Sequence, residues 1–142
     1  MPVLEQVLEK NPENVKFAFK NYPLRNHKFA MKAAIAALAA GSEGKFWEFH
    51  DELYKNYNKL SDQKIREIAI GLGFDQAEFE KRMSDPKIAA MIRQDLQDGA
   101  KAGVRGTPTI FINGRRLKNR SLQGFQAAID RELQRLGKKA GN

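Results

Sequence analysis

The chain has 142 residues, a formal net charge of +8 and no cysteine. Hydrophobic residues make up 42% and charged residues 30% of the sequence, which indicates one globular domain and argues against a disordered chain. Without cysteine, the chain can form no disulfide, no thiolate nucleophile and no cysteine-based metal site. No apolar run approaches the ~18 residues that a membrane helix requires, so we expect no membrane span.

The chain opens with a predicted helix and a predicted strand. Apolar residues at helical spacing predict a short amphipathic helix over residues 2–10. From Val15 to Lys20, apolar residues alternate with polar or small ones. This period of two predicts a strand with one apolar face.

Helical patterns dominate the stretch from about residue 26 to residue 102. Apolar spacing predicts helices over 26–40 and 45–57. Three further helices have an N-cap residue immediately before them, and the last of them has proline at its first helical position and ends near Gly103. These caps are Ser61, Asp75 and Asp85.

The helix predicted over 45–57 is rich in large apolar side chains, which we expect in the core. They are Phe46, Trp47, Phe49, Leu53 and Tyr57. His27 and His50 are the only histidines, and two histidines without cysteine or clustered carboxylates make a poor metal site. We therefore expect structural or surface roles for both histidines, with no metal and no cofactor.

The C-terminal part changes character. The β-branched, apolar run over residues 109–112 predicts a buried strand, and Asn113-Gly114 predicts a tight hairpin turn. Residues 115–118 are more polar and predict a returning edge strand. Ser121 is predicted to cap a final helix, whose apolar face runs through to Leu136.

Three segments resemble one known family. Residues 103–117, GVRGTPTIFINGRRL, resemble the loop and hairpin of DsbA-like thioredoxin-fold proteins, in which a small residue and a cis-proline precede a buried strand. Residues 45–53, KFWEFHDEL, are similar to the Phe-Trp…His-Asp-x-Leu helix of the family's helical insertion. The third match is Asn21-Tyr22-Pro23-Leu24 with His27 shortly after.

The resemblance covers almost the whole chain and implies an α/β fold. We expect a truncated thioredoxin-like (DsbA-like) fold with a helical insertion between its strands. It implies a single domain over residues 1–142, with the insertion at about 26–102. The cis-proline loop, the hairpin and the final helix then occupy 103–137.

The N-terminal residues depart from the family's pattern. Family members begin with a strand and carry Cys-x-x-Cys at the start of the first helix, whereas residues 2–5 here resemble the part of that helix about one turn after the second cysteine. We expect the strand and the cysteine pair to be missing, which leaves this chain inactive as a thiol-disulfide oxidoreductase. The family implies a periplasmic or extracytoplasmic location for the full-length protein, although this chain shows no export signal.

Thr107 and Pro108 are the substrate-binding residues that the resemblance implies. In the family, the main chain of the residue before this proline pairs with an extended peptide, and Thr107 is the equivalent residue. The implied partner is therefore an extended peptide or protein substrate. The alternative is a non-catalytic peptide-binding or dimerisation module on the same scaffold.

The missing strand also predicts a homodimer. In the family it lies between the strands predicted over 15–20 and 109–112. An open gap there would leave several main-chain groups without hydrogen bonds at ~1–3 kcal/mol each, which together exceeds a net stability of ~5–15 kcal/mol. Either the two flanking strands close up against each other or a second chain fills the gap, and we expect a homodimer built by strand exchange or edge pairing.

A basic cluster near the C-terminus raises the question of nucleic acid. Because a solvated basic face explains such clusters more often than a binding site does, we expect no specific nucleic-acid partner. Steep loss of DNA binding with salt would indicate the contrary. The cluster consists of Arg115, Arg116, Lys118 and Arg120, with Lys138 and Lys139 further on.

Overall fold

A computed structural model describes residues 2–137. This part of the chain contains seven α-helices, one 3-10 helix and a two-stranded antiparallel sheet. In chain order they are α1 (Pro2–Lys10), α2 (Ala30–Gly41), α3 (Phe46–Lys55), the 3-10 helix (Tyr57–Lys59), α4 (Asp62–Gly71), α5 (Gln76–Met83), α6 (Pro86–Lys101), β1 (Phe111–Ile112), β2 (Arg115–Arg116) and α7 (Leu122–Arg135). The architecture is a thioredoxin-like, DsbA-like fold that is mostly helical, with a small sheet, as the sequence predicted.

The chain divides into two compact units. The first unit comprises the residues up to Phe19 and those from Gly106 onward. The second unit comprises Lys20–Arg105. The first unit therefore contains α1, the sheet and α7, and the second contains the other helices.

The core of the first unit lies on the apolar face of α7. Phe125, Ile129 and Leu133 recur every four residues, so they share one side of the helix, and all three are buried together with Val7 of α1. Half-buried side chains from α1, the segment after it, the hairpin and its flanks, and the start of α7 complete this core. They are Leu4, Val15, Ile110, Ile112, Leu117 and Leu122.

A buried amide pair ties the end of α1 to α7. The Asn11 side chain, only 1% exposed, donates to the carbonyl oxygen of Val7 at 2.9 Å and to Oε1 of Gln126 at 3.0 Å. Gln126 Nε2 donates back to Asn11 Oδ1 at 3.1 Å. Because both side-chain amides find partners, a fully buried asparagine is tolerated at the end of α1.

Alanine makes close helix packing possible in the second unit. Four alanines of α2 are buried, and their small side chains allow the neighbouring helices to approach closely. Three aromatic rings fill the space beside them. The Phe49 and Phe79 rings stack at 5.4 Å, and Phe74 packs 4.9 Å from Phe79.

The predicted helix caps are confirmed. Ser61, Asp75 and Asp85 each accept a hydrogen bond from a main-chain N–H in the first turn of the following helix, at 2.9–3.0 Å. Gly103 follows α6 with a φ of +75°, a conformation that glycine adopts without steric penalty. Local sequence chemistry therefore sets the ends of α4, α5 and α6.

The carboxylate of Asp95 in α6 binds Lys20 and Asn21, the first residues of the second unit, by hydrogen bonds. It accepts from the main-chain N–H of Asn21 at 2.8 Å, from the Asn21 side chain at 3.2 Å and from Lys20 Nζ at 3.0 Å. The hydrogen bond with Asp95 raises the pKa of Lys20. Asn21 is buried, so its N–H depends on this one acceptor.

The strand predicted over 15–20 is wrong. Val15, Phe17 and Phe19 are half-buried and the residues between them are exposed, so the predicted alternation is present. A strand also requires a main-chain ladder to a second segment, and within residues 2–137 that ladder joins only β1 to β2. Side-chain period alone does not reveal whether a pairing segment exists.

The strands predicted over 109–112 and 115–118 are shorter than expected. Only the two residues nearest the turn on each side form the ladder, and Phe111 is 38% exposed, so β1 is not a buried strand. The turn is as predicted, because Asn113 and Gly114 have φ values of +45° and +78°, the pattern of a type I′ hairpin.

Some helix boundaries and core positions were also predicted wrongly. The helix expected from residue 26 begins at Ala30, because residues 25–29 form turns. The helix expected over 45–57 ends at Lys55, and Tyr57, in the 3-10 helix after it, is 74% exposed. Leu136 lies beyond the last turn of α7 and is exposed.

No helix within residues 2–137 combines the length and the apolar character needed to cross a bilayer.

Gly124 in the first turn of α7 gives a stability prediction. A Cβ there would overlap the carbonyl oxygen of Asn119 and lie 2.6 Å from its Cγ. Glycine to alanine in a helix normally stabilises by about 0.5–1 kcal/mol. We expect Gly124→Ala to lower the free energy of unfolding by about 1–3 kcal/mol, because the chain at Asn119 must move to make room for the methyl group. Urea unfolding followed by circular dichroism measures this change.

Gly71→Ala is the matched control, because Gly71 ends α4 and a Cβ added there would meet nothing within 4 Å. It should leave the free energy of unfolding unchanged or slightly raised. Equal stability of Gly124→Ala and the parent chain would refute the close approach.

Asp95 and Asp98 give a second matched pair, since both contact Lys20 but only Asp95 serves Asn21. We expect Asp95→Ala to lower the free energy of unfolding by about 1–3 kcal/mol, because a buried N–H loses its acceptor. Asp98→Ala should change it by less than about 0.5 kcal/mol, because that carboxylate is 44% exposed. Equal effects in urea unfolding would mean that the Asn21 contact contributes nothing.

Candidate functional site

The candidate site is the loop that contains Thr107 and Pro108. Both residues are exposed, and the peptide bond between them is cis. Thr109 Oγ1 donates to the carbonyl oxygen of Gly106 at 2.7 Å and so closes the loop on its inner side. The loop runs directly into β1.

The main chain of Thr107 is open for hydrogen bonding. Within residues 2–137, neither its N–H nor its carbonyl oxygen has a hydrogen-bond partner. An exposed donor and acceptor on one residue beside a strand are what an added strand requires. The loop therefore presents one unused pairing position.

The hairpin fixes the orientation of this loop. In β1 and β2, Phe111 lies opposite Arg116 and Ile112 lies opposite Arg115. The N–H of Leu117 donates to the carbonyl oxygen of Ile110 at 2.8 Å, which extends the pairing by one residue toward the loop. The chain from 110 to 117 is thus held in a single register.

The two faces of the hairpin differ. On the inner face, Ile110 and Ile112 pack on the core of the first unit, and Arg115 Nε lies 3.3 Å from Glu132 Oε1 of α7. On the outer face, Phe111 and Arg116 are exposed. Packing of the inner face therefore leaves Phe111 and Arg116 at the surface.

Arg120, which follows the hairpin in the chain, contacts the loop. Its Nη1 donates to the carbonyl oxygen of Pro108 at 3.2 Å, and its side chain is exposed. The sequence-based interpretation as a solvated basic face misses this contact. The usable signal is that residues 106–129 contain four cationic residues and no acidic one. Lys138 and Lys139, the remainder of the predicted cluster, lie outside the described residues.

The aromatic face of α3 differs from the expectation. Trp47 is 45% exposed and therefore not a core residue, whereas Phe49 is fully buried. His50 is buried, with its Nδ1 3.2 Å from Asp51 Oδ1 and its ring 4.6 Å from the ring of Tyr54. These contacts fit a structural role for His50.

The side chains that bind metals are dispersed. Across residues 2–137, no three His, Cys, Asp or Glu side chains come together as a metal site requires. The two histidines lie in different environments, since His27 is exposed and His50 is buried. With no cysteine in the chain, the site offers main-chain hydrogen bonds and cationic side chains for chemistry.

A solved structure resembles this chain closely. The thiol-disulfide exchange protein alpha-DsbA2 from Wolbachia pipientis superposes with a TM-score of 0.77 and 25% sequence identity. The match covers 92% of this chain and 72% of that one. The DsbA-like fold predicted from the three sequence segments is therefore confirmed.

Curated relatives include proteins that are named as antiporters and not as thiol-disulfide exchange proteins. "Na(+)/H(+) antiporter NhaA 1" from Salinispora arenicola (strain CNS-205) is 36% identical over 104 residues, which is 72% of this chain and 16% of that protein. "Na(+)/H(+) antiporter NhaA 1" from Mycobacterium sp. (strain KMS) is 31% identical over 118 residues, 81% of this chain and 19% of that protein. The chain spans less than a fifth of the length of either relative.

A protein-family match covers both units. The family model described as Thioredoxin matches residues 2–131. Together with the structural match to a DsbA protein, this shows that the chain belongs to the thioredoxin family, in its DsbA-like form.

Proposed function

We propose that this chain is the substrate-binding part of a DsbA-like thiol-disulfide exchange protein. In this proposal Thr107 and Pro108 form an edge that pairs with an extended segment of the protein substrate. The observation that carries it is that Thr107 is exposed and that its main-chain N–H and carbonyl oxygen have no partner within residues 2–137.

Strand addition explains why a main-chain edge suits such a protein. Hydrogen bonds to the substrate main chain are independent of its side chains, so one edge accepts many unfolded sequences. The hairpin supports this use because its inner face is anchored to α7 and its register is fixed. Substrate binding then requires little ordering of the site itself.

The thiol chemistry has to come from outside these 142 residues. Disulfide exchange proceeds by attack of a thiolate on a disulfide sulfur, and this chain contains no cysteine. We infer that the dithiol lies in another part of the full-length protein or in a partner. We place that protein outside the cytoplasm, where oxidising conditions favour disulfides.

We also propose that residues 1–142 form one DsbA-like domain, with the helical insertion at about 26–102. The family match over residues 2–131 supports this, because it spans both compact units.

Dimerisation is the second candidate function. Within residues 2–137 the sheet has only two strands, and an isolated two-stranded hairpin is marginally stable in water. The exposed Phe111 on β1 offers an apolar edge at which a second copy of the chain could pair.

The substrate-binding proposal predicts different effects of two substitutions at one position. The test peptide is capped and neutral, about ten residues long, with valine alternating with serine or glutamine. Thr107→Pro removes the N–H donor, and we expect it to weaken binding of this peptide by at least about tenfold. Thr107→Ala keeps the donor and should bind within about twofold of the parent chain. Fluorescence anisotropy of the labelled peptide measures both.

Equal binding of the peptide by Thr107→Pro and the parent chain would contradict the proposed edge. So would failure of the parent chain to bind the peptide at all. Circular dichroism of both variants checks that the helices remain folded.

The dimer proposal predicts a mass that depends on concentration. Light scattering should give about 16 kDa at the lowest concentrations and approach twice that value as concentration rises. Phe111→Lys should shift this transition to higher concentration, because a charge on the edge opposes pairing. Tyr57→Lys, which also replaces an exposed aromatic residue, is the control and should leave it unchanged. A constant monomer mass at all concentrations would rule the dimer out.

A further inference from the structure

The cationic residues around the Thr107 edge differ in how far their charge is compensated. Glu132 lies within 3.4 Å of both Arg115 and Arg135, so its one negative charge compensates the charge of Arg115 in part. Arg116 and Arg120 have no carboxylate within ion-pair distance among residues 2–137. Uncompensated positive charge therefore lies on the exposed side of the hairpin.

Arg120 is a cation that contacts the loop carrying the proposed binding edge. It bonds to the carbonyl oxygen of Pro108, the residue directly after Thr107. A guanidinium has five N–H donors in a planar fork, and this contact uses one nitrogen. Donors that point away from Pro108 remain for an incoming group, and a carboxylate matches their geometry.

The position of Arg120 is set by its neighbours. Asn119 Oδ1 accepts from the N–H of Ser121 at 3.0 Å, and Ser121 caps α7 by accepting from Gly124 at 3.1 Å. Gly124 lets the chain at Asn119 lie against the first turn of α7. Both chain neighbours of Arg120, Asn119 and Ser121, are therefore held by hydrogen bonds. The hydrogen bond from Arg120 to Pro108 directs the guanidinium toward the loop.

An added strand would place substrate side chains beside this guanidinium. Paired strands lie about 4.8 Å apart, so a residue that pairs with Thr107 or its neighbour lies within reach of Arg120. A glutamate or aspartate there meets an uncompensated cation, whereas a lysine meets a like charge. The N-terminus of α7 follows Arg120 directly in the chain and carries a positive partial charge.

We propose that Arg120 makes the Thr107 edge selective for acidic extended peptides, with Arg120 as the specificity-determining residue. This inference rests on the proposed function, because it requires that a peptide pairs at Thr107. It goes further by naming the class of substrate: segments with Glu or Asp near the paired residue, discriminated against segments with Lys or Arg.

Three labelled peptides test the inference on the intact chain. All alternate valine with a polar residue over about ten positions, and they differ only at two polar positions, which carry serine, glutamate or lysine. In anisotropy titrations at about 0.1 M salt, we expect the glutamate peptide to bind about five- to tenfold more tightly than the serine peptide and the lysine peptide more weakly. At about 0.5 M salt the difference should shrink to about twofold.

Arg120→Gln should remove the preference for glutamate while leaving binding of the serine peptide within about twofold. Arg131→Gln is the matched control: it removes the same charge from an exposed position on α7 about 15 Å along the helix from Ser121, beyond the screening length of ~10 Å at 0.1 M salt. It should keep the preference. Arg120→Lys should keep part of it, because the charge remains and the fork is lost.

Each other outcome overturns the inference in its own way. Equal binding of the three peptides by the parent chain removes the selectivity but leaves the Thr107 edge intact. If Arg120→Gln weakens all three peptides equally, Arg120 only supports the loop. If Arg131→Gln abolishes the preference as well, it reflects net charge and not this residue. If no peptide binds, the proposed function itself fails, and with it the inference.

Discussion

The packing of the hairpin on α7 is the interaction on which the first unit depends. Phe125, Ile129 and Leu133 form one apolar face that holds α1 on one side and the inner face of the hairpin on the other. A hairpin of two-residue strands has too few main-chain hydrogen bonds to persist alone. Burial against α7 stabilises the hairpin and determines which of its faces remains exposed. The exposure of the outer face beside the Thr107 loop therefore depends on this packing.

In the proposed function, the role of this chain is recognition of the substrate. Dithiol exchange depends on a thiolate, usually stabilised at the start of a helix, and this chain contains no cysteine. The fold retains an exposed loop with an open main-chain donor and acceptor and a cation fixed beside it. On this proposal, these groups bind a polypeptide without reacting with it, and the substrate edge is separate from the redox step.

The accuracy of sequence-based prediction followed the range of the interactions involved. Helix caps such as Ser61 and the turn at Asn113 were predicted correctly, because their signals lie within four residues. The strand over 15–20 was predicted wrongly, because pairing depends on a distant segment that periodicity does not reveal. Resemblance to the family predicted Thr107 and Pro108 as the candidate site, but the contact of Arg120 with Pro108 joins residues twelve apart and needed the structure.

Hydrogen exchange at the amide of Thr107 tests the central claim most directly. In the free chain this exposed N–H has no acceptor within residues 2–137, so it should exchange at nearly the rate of an unstructured peptide. With the neutral peptide bound, the account predicts clear slowing of exchange at Thr107 and little change in the helices of the second unit. Unchanged exchange at Thr107 together with new protection in α2–α6 would contradict it, because the peptide would then bind elsewhere.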